Sequence, residues 1–121
     1  NNYAMVLTMI EPPELDKALE IIKRGIQLYP TNHEILDSQG RILMKMGNVD
    51  GAIASFDNSI EFAKARDNLD RLDTREARIA AYEKKGLTES AEMDKKMLAQ
   101  LVQKKLAEDR AKAEKKTTEK K

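Results

Sequence analysis

Few residues of this chain could do chemistry. Among its 121 residues there is one histidine, His33, and no cysteine. Thiolate metal sites, disulfides and Cys–His nucleophile pairs are therefore excluded, and the redox compartment is left open. A metal site needs several converging ligands, which one histidine does not supply. His33 is expected as a surface residue at a helix start. The chain has 21 Asp and Glu, but Lys and Arg interleave with them, the pattern of solvated helix faces with i, i+4 pairs. No GxxxxGK or GxGxxG run is present to cradle phosphate. Of the six methionines, most read as core filling, and Met44 as an adaptable lining for a bound segment. No catalytic constellation emerges, so neither enzymatic activity nor a cofactor or metal is expected. What remains is surface.

That surface must be carried by helices. Aromatic residues make up 4% of the chain, with only five Gly and three Pro, which argues against a β-sandwich or barrel. Ala, Leu, Lys, Glu, Arg and Met favour helix. The formal net charge is +1, too balanced for whole-protein attraction to nucleic acid. The distribution is uneven, because residues 103–121 hold eight basic and four acidic residues and the rest of the chain is net acidic. No apolar run approaches the roughly 20 residues of a membrane span.

Apolar positions repeat. Ala18, Leu19, Ile22 and Ile26 recur 34 residues on as Ala52, Ile53, Phe56 and Ile60, each set at helical spacing. Leu43, Gly47 and Ala52 recur 39 residues on as Tyr82, Gly86 and Ala91. The five extra residues are expected in a lengthened loop near 64–71. Gly47 and Gly86 follow helical runs and suit a left-handed cap. Thr31 with Glu34 reads as a capping box, Asp73–Glu76 follows the same logic, and Asn48 and Thr88 read as N-caps. Pro12 and Pro13 suit a helix start and Pro30 a stop. These signals predict six helices near 2–10, 13–29, 32–46, 49–66, 72–85 and 89–112.

Helix pairs at this period, with Gly between the helices, resemble the tetratricopeptide repeat (TPR). In the middle repeat the residues are Leu36, Gln39-Gly40, Leu43, Gly47, Ala52 and Phe56. The first repeat offers Ala18, Ile22 and Pro30, and the third Tyr82, Gly86 and Ala91. Gln39, Arg78 and Lys95 depart from the apolar pattern. An ordinary up-down bundle would explain the stripes, but not Ala, Gly and large apolar residues recurring at one offset. The resemblance implies an all-α fold of antiparallel helix-turn-helix pairs stacked as a right-handed superhelix. It divides the chain into repeats of about 1–32, 33–71 and 72–107 and a charged, fraying tail over 108–121.

The resemblance also implies a function: a non-catalytic scaffold that holds a partner segment in a concave groove lined by the first helix of each pair. The groove positions would be Tyr3 and Leu7, then Glu34, Asp37, Arg41, Met44 and Lys45, then Glu76, Ala80 and Lys84, with Asp73 and Glu83 beside them. Their acidic bias favours a protein or peptide partner with a basic or amphipathic segment. The alternatives are a structural stacking or dimerisation domain and a regulatory appendage of a larger multidomain protein. Residues 3–10 are almost wholly apolar, as in a helix covered on both sides. This suggests a C-terminal fragment of a longer array, and self-association as a two-fold dimer through Tyr3, Met5, Val6, Met9 and Ile10. The Lys-rich end reads as a solubilising tail rather than a nucleic-acid contact, because acids and no aromatics interleave.

Chaperone-binding TPR domains clamp a terminal carboxylate with Lys, Asn, Asn, Lys and Arg. Here those positions read Tyr3, Leu7, Ser38, Glu76 and Ala80, and Glu76 would repel a carboxylate. Calorimetric titration with an acidic C-terminal peptide is expected to give no binding; tight binding would remove this exclusion.

Overall fold

The structure, a computed structural model, describes residues 2–10 and 14–119, with side chains as far as Lys116. It contains six helices: α1 (Asn2–Met9), α2 (Leu15–Leu28), α3 (His33–Lys45), α4 (Val49–Asp67), α5 (Leu72–Lys85) and α6 (Thr88–Glu119). No strand occurs among the described residues. The helix start assigned to Pro12 and Pro13 lies outside them, as do Lys120 and Lys121. Among the described residues no helix is long and apolar enough to cross a membrane.

Helix boundaries follow local chemistry. Gly47 and Gly86 take φ of +84° and +80°, the left-handed region that costs a side-chain-bearing residue strain. Asn48 caps α4, its Oδ1 accepting from Gly51 N at 2.9 Å. The cap of α3 is Asn32 and not Thr31: Asn32 Oδ1 accepts from the Glu34 and Ile35 amides at 3.0 and 3.1 Å. Asn rivals Ser and Thr as an N-cap, and Thr31 is engaged by Arg66 instead. In α5 the cap position is Arg71, which has no side-chain cap bond, so the second proposed capping box does not form. Thr88 lies within the first turn of α6 and does not precede it.

The five-residue excess is not a loop. Connections 29–32 and 68–71 are equally long. Instead α4 has 19 residues where α2 has 14. Pro30 limits α2, whereas 61–67 contains no Gly or Pro, and Asn68 closes α4 in a left-handed conformation at φ 51°. Helix α6 also outlasts expectation. It is helical through Glu119, past the end expected near 112, because no Gly or Pro follows Gly86 and Ala, Lys, Glu and Arg hold helix well. Residues 102–116 are exposed along it.

Each helix packs on its successor, and α3 also meets both α1 and α5. Ala4, Leu7, Ala18, Ile22 and Ile42 form one buried cluster. Ala52, Phe56 and Ala81 form a second, with Leu43, Met44 and Ile53 at its margin. The repeated positions Ala18 and Ala52, and Ile22 and Phe56, are all buried. Small residues let the pairs close. A Cβ built on Gly40 would lie 2.6 Å from Phe56 Cδ1 and 2.9 Å from Cζ. Gly40→Ala should therefore destabilise by about 1–3 kcal/mol through overpacking, read as a lower urea midpoint; an unchanged midpoint would show that Phe56 can move aside.

Candidate functional site

Helix α5 carries Arg71, Thr74, Arg75 and Arg78 at i, i+3, i+4 and i+7, the spacing of one helical face. In α2 and α4 that spacing is apolar. Here it receives two buried carboxylates, one from each neighbour. Asp37 of α3 accepts from the Thr74 hydroxyl at 2.6 Å and from Arg41 Nε at 2.8 Å, with Arg71 Nη2 at 3.6 Å. Asp94 of α6 accepts from Arg75 Nη1, Arg78 Nε and Arg78 Nη2, each at 2.8 Å. Arg78 also reaches Asp57 of α4 at 2.8 Å and lies 5.7 Å over the Tyr82 ring. One guanidinium thus ties α4, α5 and α6. Burial opposes the charge on Arg78, but its bonds to Asp94 and Asp57 outweigh this and raise its pKa. Burial pushes the Asp94 carboxyl up, and the hydrogen bonds from Arg78 and Arg75 more than reverse that, leaving its pKa below the ordinary value.

His33 is buried, contrary to the surface placement expected of it. Its ring lies between Arg71 Nη1, 3.0 Å from Nδ1, and Asp67 Oδ2, 3.0 Å from Nε2. Arginine only donates, so Nδ1 accepts and the Nε2–H donates to Asp67. The extra turn of α4 supplies this partner. Both ring nitrogens are occupied, and His33 serves to join α3, α4 and the start of α5. Among the described residues no group of three or more His, Cys, Asp or Glu is placed to hold a metal ion.

The expected groove residues divide. Glu34, Lys45, Glu76, Ala80 and Lys84 are exposed, as are Asp73, Glu83 and Tyr3. Asp37 is not, because it belongs to the ion network. Leu7 is also buried, inside the first core cluster. Met44 is half-buried at the margin of the second cluster rather than free to line a groove. Arg41 bridges the helices of this face: besides Asp37, it reaches the Asp73 carbonyl at 3.4 Å and its carboxylate at 3.8 Å. Burial opposes the Arg41 charge, while the bond to Asp37 and the fields of Asp37, Asp73 and Glu76 raise its pKa. With Arg41 so engaged, and Asp73 paired with it and with Arg71 at 3.2 Å, the exposed set offers the carboxylates of Glu34 and Glu76 beside Lys45 and Lys84.

The residues expected to self-associate also divide. Tyr3, Val6, Met9 and Ile10 are 59, 52, 74 and 43% exposed, while Met5 is half-buried against the core.

Fold and site define an all-α protein of helical-repeat-like character, fastened by buried ion pairs and without a metal-holding cluster among the described residues. Compared with protein-family models, curated proteins and solved structures, the chain matches none.

Asp94→Asn should cost roughly 3 kcal/mol by leaving the half-buried Arg75 without its anion and Arg78 with Asp57 alone. The lowered carboxyl pKa sets the sign with pH: the contribution is fully present above the unfolded Asp value and is lost as pH falls through the folded one. Urea titrations should show a constant gap between wild type and variant near neutrality, closing below about pH 4. A pH-independent gap would separate the loss from ionisation.

Proposed function

We propose that this chain is a non-catalytic protein-interaction scaffold of TPR type. Its helix pairs stack as a right-handed superhelix, and a partner segment lies across the face made by the first helix of each pair. The observation that carries this reading is the contact of α3 with both α1 and α5. It sets three first helices side by side and leaves Glu34, Glu76, Ala80 and Lys84 free on their outer surface. A rigid surface of this kind loses little ordering entropy on binding. Its exposed carboxylates, with Arg41 already paired, suit a basic or amphipathic partner segment. The TPR assignment itself rests on the 34-residue recurrence of buried Ala and large apolar residues and on Gly40 beneath the Phe56 ring.

A second reading has its own support. The outer face of α1 is apolar and uncovered, and such patches seek partners. On that reading the chain is a structural or dimerisation domain, and α1 is its interface.

The scaffold reading is tested by affinity capture with wild type beside a Glu34→Lys, Glu76→Lys variant. Both positions are exposed, Glu76 adding to the field on Arg41 and Glu34 lying in the first turn of α3, so each reversal should cost no more than about 1 kcal/mol, with the retained fold checked by circular dichroism. A partner retained by wild type and released by the variant supports the α1–α3–α5 face. Equal retention by both would move binding elsewhere.

A further inference from the structure

Two surfaces near opposite ends of the chain are left uncovered. One is the outer side of α1, where Tyr3, Val6, Met9 and Ile10 carry no charge. The other is a groove along α6, made of two adjoining clefts of about 490 and 290 Å³ that share Arg75 and Met97, the first reaching α4 and the second lying against α5. Ile60, Leu69 and Leu101 line one and Met93 the other. Leu69 and Met97 are 48 and 44% exposed, and methionine adapts readily to a partner's shape.

The groove's chemistry restricts its occupant. Its charges are largely matched within the chain: Lys64 and Lys104 reach Asp70 at 3.4 and 3.9 Å, and Arg75 Nη1 reaches Asp94 at 2.8 Å. Glu61 is exposed at the rim and can stay in water. A charged ligand would bury a charge without a counterpart, whereas an uncharged one would not. The fitting occupant is a short apolar helix without charge. Helix α1 matches each requirement. It has eight residues, about 12 Å of helix, the same rise as Met93 to Leu101 along the groove.

The geometry points to head-to-tail self-association, with α1 of one copy lying in the groove along α6 of the next. This rests on the reading of α1 as a self-association surface and names the surface that receives it. The contact is heterologous, so copies add in series instead of stopping at a two-fold dimer.

Sedimentation velocity up to about 1 mM tests this, in a range where weak interfaces become populated. Wild type should give species that grow beyond a dimer. Val6→Lys blocks the helix and Met97→Glu blocks the groove, both at exposed positions that should leave the circular dichroism spectrum unchanged. Each variant alone should be monomeric. Mixed in equal amounts they should form a 1:1 complex and nothing larger, because one intact helix meets one intact groove. If Met97→Glu still dimerises and Val6→Lys does not, α1 pairs with itself and the groove assignment is overturned. Association that survives Val6→Lys, or a wild type monomeric throughout, overturns both the groove assignment and the role of α1.

Discussion

A buried carboxylate destabilises a fold unless cations and hydrogen-bond donors come with it, and this chain buries two against a single helix. Helix α5 is poor in large apolar residues. Ile79 and Ala81 are its buried apolar side chains, too little on their own to fix it between two neighbours. Arg71, Thr74, Arg75 and Arg78 supply the rest by meeting Asp37 on one side and Asp94 on the other. The consequence is directional. Apolar contacts tolerate sliding, whereas a bidentate Arg–carboxylate pair fixes distance and angle together. The register of α3 against α5, and of α5 against α6, is therefore set by charge. The first two helix pairs are held by ordinary packing of Ile22, Ile42 and Phe56.

Much of the fold was legible because its signals are local. Gly47 and Gly86 mark turns that require positive φ, Asn48 marks a cap, and the 34-residue recurrence marks two helices with the same buried stripe. What was illegible depended on non-local partners. The capping box at Thr31 follows a sound local rule, yet Arg66, arriving from α4, takes Thr31 and leaves the cap to Asn32. The length excess looked like loop because loops absorb insertions cheaply. It became an extra helical turn because 61–67 is helix-prone, and that turn brings Asp67 to His33.

The candidate site was read less well, for a related reason. Glu34, Glu76, Ala80 and Lys84 stand exposed where the repeat pattern puts a groove. Asp37 does not, because a carboxylate on a helix gives no sign of burial until its cations are found. The sign was present in the i, i+3, i+4, i+7 run of Arg and Thr on α5, a stripe with the period of a buried face but the chemistry of a surface one. Arg78 also stood out as a departure from the repeat pattern. Departures of this kind locate the places where ion pairs replace packing. Leu7 and Met44 were misplaced because α1, apolar on all sides, and Met44, beside Leu43, do not reveal from periodicity which side is covered.

The same replacement makes the two ends of the helix stack chemically unlike. At the 39-residue offset, Phe56 corresponds to Lys95 and Ile53 to Glu92. Lys95 bonds Glu92 at 3.3 Å and pairs with Glu83 at 3.6 Å, which holds it in its charged form and raises its pKa. The flank of α6 that corresponds to the apolar stripe of α4 is thus a solvated ion-pair surface, unsuited to receive another apolar helix. Met93 and Met97 lie on the opposite flank, roughly half a turn away. At the other end α1 is apolar without a single charge. A helix like α1 therefore cannot be covered by continuing the repeat from α6, since charge stands where packing would be needed. On the head-to-tail proposal its cover comes instead from the methionine-bearing flank, across the stack from where the repeat would have placed it.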